Sequence, residues 1–357
     1  MSLSFAHVTL AQRVLFGAGR AAEHLAAEVD RLGAQRVMVI ASESEMEMAR
    51  AVAARIEVAH WHDEVVMHVP VEVAERARAA AAAAAADLLV SVGGGSTTGL
   101  AKAVALTAGL PIVAVPTTYA GSEATNVWGL TEATRKTTGV DDRVLPVTVI
   151  YDPSLTLTLP VGISVASGLN ALAHCVDSLW APRADPINAA LAVEGVRALT
   201  SGLPRIVAAA SDLRGREETA YGAYLSAVAF ASAGSGIHHK ICHVLGGTFN
   251  LPHAETHAVV LPYVLAFNAP YAPDAEARLA AALDAPTAVA GLERLRAELR
   301  APRALVDLGF TEDGIATAVE VALPSIPVNN PRRVTASRLT ALLHAALTGV
   351  DPAELSA

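Results

Sequence analysis

The first 150 residues alternate short apolar runs with stretches of helical periodicity. β-Branched and apolar residues dominate the runs RVLF, RVMVIA, DLLVSV, PIVAVPTT and VLPVTVIYDP, which predict strands. The intervening segments predict helices over residues 17–33, 44–56 and 71–86, and His60–Val69 can hold a further strand. This alternation predicts an α/β domain with a mostly parallel sheet covered by helices on both faces.

The hydrophobic pattern changes near residue 155. Long alanine- and leucine-rich amphipathic segments follow, such as SVASGLNALAHCVDSLWA, and none alternates as a strand would. Pro153 and Pro160 bracket the change. The sequence therefore predicts an α/β domain over residues 1–154 and an all-helical domain over residues 155–357.

Composition limits the possible partners. The formal net charge of −9 disfavours nucleic acid and anionic lipid, which both bind a basic face. Hydrophobic residues make up 53% of the chain, but the richest run, residues 79–92, contains Asp87 and is too short to span a bilayer. No secretory signal is recognised at the N-terminus, so a cytoplasmic protein is expected. The two cysteines, Cys175 and Cys242, form no CxxC motif and are interpreted as buried packing residues.

Two polar loops follow predicted strands. After DLLVSV the chain enters GGGS, where Gly94, Gly95 and Ser96 can present backbone N–H groups at a helix N-terminus and seat a phosphate. The motif is neither GxGxxG nor a Walker A loop, and a tight turn without a ligand stays an alternative. The loop PTTYAGSEATN adds hydroxyls at Thr117, Thr118 and Ser122, although an ordinary polar loop would also fit. Two such loops after successive strands favour a dinucleotide site.

Five of the twelve histidines fall within GIHHKICHVLGGTFNLPHAETH. His239 and His243 are four residues apart, as are Asn170 and His174 upstream, so each pair lies on one face of a helix. With His253, these side chains can surround a divalent metal or a polar, anionic substrate. His238 and His257 are predicted to be bystanders.

These motifs together resemble the iron-containing alcohol dehydrogenase superfamily, and within it most closely the maleylacetate reductases. The resemblance rests on GGGSTTGLAKAVAL, PTTYAGSEAT, SGLNALAHCVDSLWAP and HHKICHVLGGTFNLPHAETHAVVLPYVLAFN, and it covers nearly the whole chain. It implies a dehydroquinate-synthase-like fold with an NAD(P)-binding N-terminal domain, an all-helical C-terminal domain and an active site in the cleft between them.

The resemblance also implies a metal site. Superfamily members hold a divalent metal with an Asp at the position of Asn170 and with histidines at the positions of His174, His239 and His253. An amide brings no charge to offset a dication, so metal affinity should be lower here, and strict metal dependence is not expected.

The implied reaction adds a hydride from NADH or NADPH to the conjugated C=C of maleylacetate and gives 3-oxoadipate. Asn170, His174, His239, His243 and His253 are the predicted catalytic residues, with His174, His243 and His253 favoured for stabilising the enolate and delivering the proton. Lys240, Arg135, Arg332 and Arg333 are candidates for binding the two carboxylates of the substrate.

Cofactor choice depends on the turn after RVMVIA. Ser42 stands where an Asp would repel a 2′-phosphate, so use of both NADH and NADPH is predicted, with Glu43 and Glu45 tilting the choice toward NADH. Lys136 is a further predicted cofactor contact, and a homodimer is expected. The alternatives are a metal-dependent alcohol or polyol dehydrogenase and a non-redox lyase or synthase, both of the same fold.

Overall fold

The structure of the protein is a computed structural model that describes residues 4–132 and 135–356. The chain divides into two compact units. One is Leu10–Leu159, and the other runs from Pro160 onward and includes the described residues before Leu10. The observed division at Leu159 and Pro160 lies five residues beyond the predicted one.

The first unit is built on a six-stranded sheet in the order β1-β8-β5-β4-β2-β3, in which every neighbouring pair is parallel. The strands are β1 Arg13–Phe16, β2 Val37–Ile40, β3 Val58–His62, β4 Leu88–Gly93, β5 Ile112–Pro116 and β8 Thr148–Tyr151. All four residues of β2 and all six of β4 are buried, as continuous apolar runs require in a sheet covered on both faces. The predicted mostly parallel sheet is confirmed.

Four helices cover this sheet. They are α1 Ala21–Leu32, α2 Met46–Val52, α3 Val71–Ala83 and α4 Gly95–Ala108. Gly33 ends α1 in the left-handed region, with φ 68°, a conformation that costs glycine little. Two separate apolar clusters, one of them built around Leu25 and Val90 and the other around Met38 and Leu100, form the core.

A two-stranded antiparallel hairpin was not predicted. Its strands are β6 Val127–Glu132 and β7 Arg135–Val140. Trp128 packs against Gly139 so closely that a Cβ at Gly139 would lie 2.6 Å from the indole ring. The polar sequence of β7, RKTTGV, hides its strand character, because Val140 is its one apolar side chain.

The described residues of the second unit form helices joined by loops and contain no strand, as predicted. Its helices are α5 Val161–Ser178, α6 Pro186–Ala208, α7 Leu213–Ala233, α8 Ile237–Phe249, α9 His253–Asn268, α10 Pro273–Ala282, α11 Ala288–Glu298, α12 Gly314–Ala322 and α13 Ala336–Thr348. Glycines let α6 and α7 approach each other, since a Cβ at Gly202 would lie 2.8 Å from the carbonyl oxygen of Gly215. Among the described helices, none is long and apolar enough to cross a membrane.

Candidate active site

The glycine-rich turn at the end of β4, residues Gly93 to Gly95, lies where the order of the strands in the sheet reverses. From β2 the chain adds β3 on one side and then β4 on the other, and β5 and β8 continue away from β2. Ligands of open α/β sheets bind at such a switch point, outside the carboxyl ends of the strands. The chain from Gly93 to Gly95 turns from β4 into α4 at this crevice, so the predicted phosphate turn occupies the expected place.

The geometry of the turn requires small residues. Gly93 has φ +156°, and a Cβ there would lie 2.4 Å from Thr97 Oγ1. Gly94 precedes the first helical residue, Gly95, and no side chain caps the helix. The first N–H groups of α4 are therefore left to bind an anion.

A carboxylate lies across the same crevice. Glu45 accepts hydrogen bonds from Ser42 Oγ and Thr117 Oγ1, both at 2.7 Å. A Cβ on Gly93 would lie 2.7 Å from Glu45 Oε2, so the carboxylate rests against the phosphate turn. Ser42 and Thr117, two predicted cofactor residues, are thereby brought together by a third residue.

The loop that carries Thr117, Thr118 and Ser122 is held by a buried lysine. Lys102 Nζ donates to the carbonyl oxygens of Ser122, Thr125 and Val127 at 2.6 to 2.8 Å, and Thr125 Oγ1 lies 3.1 Å away. Burial lowers the pKa of Lys102 to about 7. Four oxygen acceptors and no donor surround the amine, an arrangement that suits the ammonium form.

Thr118 has a different position from Thr117. Its methyl group would lie 3.0 Å from a Cβ on Gly94, and its buried Oγ1 has no hydrogen-bond partner among the described residues. The side chains of Arg135 and Lys136, predicted for substrate and cofactor, lie outside what the structure describes.

In the second unit, α5 and α8 bring histidines together around Asp177. His239 Nδ1 lies 2.7 Å from Asp177 Oδ2, and the backbone N–H groups of Gly236 and His239 also donate to that oxygen. Trp180 Nε1 donates to the other oxygen at 3.3 Å. Burial raises the pKa of Asp177 to about 6, which leaves the group ionised at neutral pH. The carboxylate therefore holds the proton of His239 on Nδ1 and leaves Nε2 as an acceptor.

The rings of His174 and His239 stack beside an aromatic residue. Their centroids are 4.8 Å apart at an interplanar angle of 15°, and Phe230 packs on both at 4.7 and 4.3 Å. Desolvation by burial lowers the pKa of His174 to about 3 and that of His239 well below its usual value. Both rings are therefore neutral at physiological pH.

Three buried polar atoms of the predicted site lack a partner among the described residues. They are Asn170 Oδ1, His174 Nδ1 and His239 Nε2. Asn170 and His174 are both in α5, four residues apart, as the spacing predicted. A buried polar atom without a partner costs about 1–3 kcal/mol, so these atoms fit a site that a ligand completes.

His243 and His253 are less buried than the preceding pair. Their rings stack at 6.4 Å, and the ring of His239 lies 6.1 Å from that of His243. His253 begins α9 and its ring is 4.4 Å from that of His257. The predicted histidines thus form one continuous group of rings.

His238 and His257, predicted to be bystanders, lie on the buried side of this group. His238 Nε2 and His257 Nδ1 are 2.9 Å apart, and Cys242 Sγ is 3.7 Å from His238 Nε2. Within the described ranges these three side chains form the one set of His, Cys, Asp or Glu residues with ligand atoms all within 4.8 Å. These two nitrogens bond each other, whereas the buried His238 Nδ1 and His257 Nε2 have no partner among the described residues, and burial raises the pKa of the Cys242 thiol.

The residues that the resemblance assigns to a metal match it in donor type. Asn170 Oδ1 and His239 Nε2 are acceptors without a donor, and Asp177 orients His239 as a carboxylate behind a metal-binding histidine does. Asn170 carries no charge, however, and burial keeps His174 and His239 neutral. A dication here would therefore be bound more weakly than with a carboxylate at position 170.

The candidate cations differ in their surroundings. Lys240 is half-buried on α8, and no carboxylate of the described chain forms an ion pair with it. Arg332 instead lies over the rings of Phe267 and Tyr271, at 4.7 and 5.2 Å. Phe267 is fourteen residues beyond His253 on α9, a rise of about 21 Å, so Arg332 lies far from the histidines. This position does not favour the prediction that Arg332 binds substrate, which stays untested.

The chain belongs to the iron-containing alcohol dehydrogenase family. Residues 11–153 match the description Iron-containing alcohol dehydrogenase, and residues 164–347 match Fe-containing alcohol dehydrogenase family, C-terminal. The predicted resemblance is confirmed, and the protein is an oxidoreductase.

Three relatives narrow this class. The maleylacetate reductase of Pseudomonas sp. strain P51 is 46% identical over 98% of this chain and 99% of its own. An iron-containing alcohol dehydrogenase structure from Corynebacterium glutamicum is 67% identical, covers 100% of both chains and has a TM-score of 0.98. A maleylacetate reductase structure from Agrobacterium tumefaciens is 42% identical, covers 98% of this chain and 100% of its own, and has a TM-score of 0.93. Within its family, this chain is thus similar to maleylacetate reductases over nearly its full length.

The sequence analysis missed one residue that organises the histidines. Asp177 lies three residues after His174 and seven after Asn170, so it shares their helical face. The helical spacing of residues 170, 174 and 177 indicates this shared face, although Asp177 is close to the end of the apolar pattern.

Glu45 was predicted to influence cofactor choice. Its contact with Thr117 was not predictable from a local pattern, because the two residues are 72 positions apart in the sequence.

Proposed function

We propose that the protein catalyses the NAD(P)H-dependent reduction of the conjugated C=C of maleylacetate to 3-oxoadipate. The observation that carries the proposal is the set of unpartnered polar atoms of Asn170, His174 and His239 beside neutral histidines. Curated relatives named maleylacetate reductase, 43–48% identical over nearly the whole chain, support the choice of substrate. The phosphate turn at the sheet switch point supports a nicotinamide dinucleotide as hydride donor.

The proposed reaction has three steps. Hydride attacks the alkene carbon β to the ketone, the electron pair of the C=C moves to make an enolate, and a proton then adds to the α carbon. His239 cannot supply that proton, because Asp177 holds its hydrogen on Nδ1. We assign proton delivery to His243 or His253, which are less buried, and stabilisation of the enolate oxygen to the neutral ring of His174.

The dicarboxylate substrate needs cations. Lys240 is the one basic residue in the sequences of α5, α8 and α9, which carry all the histidines of the site. We propose that it binds one carboxylate of the substrate. A lysine without an ion pair is free to do so at little cost in broken contacts.

A divalent metal, where bound by Asn170, His174, His239 and His253, would supply a Lewis acid that polarises the ketone. We propose that the reaction does not strictly require it, because a site with an amide at position 170 should hold a dication weakly and the imidazoles themselves can bind the enolate. Activity that persists after exhaustive chelation supports this view. Stoichiometric iron or zinc, with activity lost on its removal, would instead indicate a metal-dependent alcohol or polyol dehydrogenase.

The direct test incubates the protein with maleylacetate and NADH, follows the absorbance of the reduced nicotinamide and identifies the product. One 3-oxoadipate formed for each NADH consumed is the expected result. Conversion of maleylacetate to a different, non-reduced product without net loss of NADH would indicate a lyase or synthase. We also propose that the protein is cytoplasmic, in agreement with its two buried free thiols. We propose that it is a homodimer, and sedimentation of the purified protein tests its oligomeric state.

A further inference from the structure

The crevice at the switch point of the sheet contains one acidic side chain that is built into it. Glu45 accepts from Ser42 after β2 and from Thr117 after β5, and it rests against Gly93 at the end of β4. These three strands are neighbours in the sheet. The carboxylate is therefore fixed across the carboxyl ends of the strands where a dinucleotide binds.

The position of this carboxylate matters for the adenosine ribose. NAD-binding folds of this kind use an acidic group past the second strand to accept a hydrogen bond from the ribose 2′-hydroxyl, and the same charge repels the 2′-phosphate of NADP. Ser42, directly after the strand, offers a hydroxyl that already donates to Glu45. The charge that can act on the ribose therefore resides on Glu45.

Glu43 does not share this position. Its side chain is exposed, whereas Glu45 is partly buried and makes both hydrogen bonds described above. An exposed carboxylate is screened by water and salt, so its effect on a bound phosphate is small. Glu43 and Glu45 carry the same charge in one turn, and only one of them contacts the crevice.

We infer that Glu45 is the residue that selects NADH over NADPH, by accepting the ribose 2′-hydroxyl and repelling a 2′-phosphate. This inference rests on the proposed dependence on a nicotinamide dinucleotide. A 2′-phosphate carries about 1.5 to 2 negative charges at neutral pH, so a neutral side chain at position 45 removes a large unfavourable interaction.

The test replaces Glu45 with Gln, which keeps the shape and one accepting oxygen for Ser42 or Thr117. Dissociation constants for NADH and NADPH are measured without substrate, so the result does not depend on which reaction the enzyme catalyses. The expected outcome is a NADH-over-NADPH preference that falls about tenfold or more, with tighter NADPH binding in absolute terms. Tighter binding of one cofactor cannot arise from misfolding.

Glu47→Gln is the matched control, because it removes the same charge from an exposed position two residues away. It should leave the preference within about twofold of the original. An equal shift in Glu47→Gln and Glu45→Gln would overturn the inference, as would an unchanged preference in Glu45→Gln. If wild-type protein binds neither cofactor, the proposed function fails first, and that result is seen before any variant is compared.

Discussion

The buried histidines make the stability of the protein sensitive to acid. His174, His238, His239 and His257 are at most 7% exposed, and desolvation lowers the pKa of every one. For His174 and His238 the pKa falls to about 3. Each ring is therefore neutral in the folded protein over a pH range where the unfolded chain is protonated.

The direction in which pH changes the free energy of unfolding follows from proton binding. Below pH 6.5 the unfolded chain binds more protons at these positions than the folded protein, so the free energy of unfolding decreases as the pH falls. Each histidine contributes up to about 1.4 kcal/mol per pH unit in this range. Between pH 7 and pH 5, His174 and His238 together should remove about 4 kcal/mol, and His239 and His257 act in the same direction.

Asp177 opposes this loss. Burial raises its pKa to about 6, so the folded protein takes up a proton there before the unfolded chain does. This proton uptake raises the free energy of unfolding by about 1 kcal/mol between pH 7 and pH 5. The histidines outnumber the single carboxylate, and a net loss of several kcal/mol is therefore expected.

Urea unfolding at pH 7, 6 and 5, followed by circular dichroism, measures this loss. His238→Gln removes one titrating ring and should flatten the pH dependence by about 2 kcal/mol over the range. His344→Gln is the control, because His344 is an exposed side chain on α13. A wild-type loss below about 1 kcal/mol, or an unchanged pH dependence in His238→Gln, would refute the neutral, buried state of the cluster.

Five further substitutions probe the site and the residues that support it. Asp177→Asn should lower kcat about 10- to 100-fold with little change in the KM for cofactor, since His239 loses the partner that sets its tautomer; equal kcat would contradict this role. Lys102→Met should lower the free energy of unfolding by about 3 kcal/mol or more, because buried carbonyl groups lose their donor, and urea unfolding measures it. Asn170→Asp should tighten binding of a divalent metal in a metal titration and raise the KM for a dicarboxylate in metal-free enzyme. Lys240→Ala should raise that KM about tenfold, whereas Arg332→Ala should leave it within about threefold, and the reverse order would contradict the assignment.

The sequence predicted the fold well because its apolar runs are unambiguous. Strands β2 and β4 are fully buried, and their continuous hydrophobic sequences indicate a covered parallel sheet. The hairpin of β6 and β7 escaped prediction since TEATRKTTGV has little apolar alternation. Its stability depends on contacts such as Trp128 on Gly139, which a local pattern does not contain.

The site was predictable in its residue types and less so in their pairing. Helical spacing indicated that Asn170 and His174 share a face, and both lie on α5. The bond between His238 and His257 joins α8 to α9 across nineteen residues, and no local periodicity encodes it. Arg332 illustrates the opposite case, since its charge suggested a substrate contact and its position over two aromatic rings gives it a structural role.

The uncharged amide of Asn170 affects the binding of an anionic substrate as well as the binding of a metal. Apart from histidines, helices α5, α8 and α9 contain one basic residue, Lys240, and two acidic residues, Asp177 and Glu255. The histidines among them whose pKa is lowered are neutral. A carboxylate at 170 would set another negative charge against a dianionic substrate, unless a dication offset it. Two unit charges about 6 Å apart repel by about 3 kcal/mol at an effective dielectric constant of about 20. If the proposed function holds, the amide at position 170 would weaken a metal site and would also admit a dicarboxylate, because both effects follow from the loss of one negative charge.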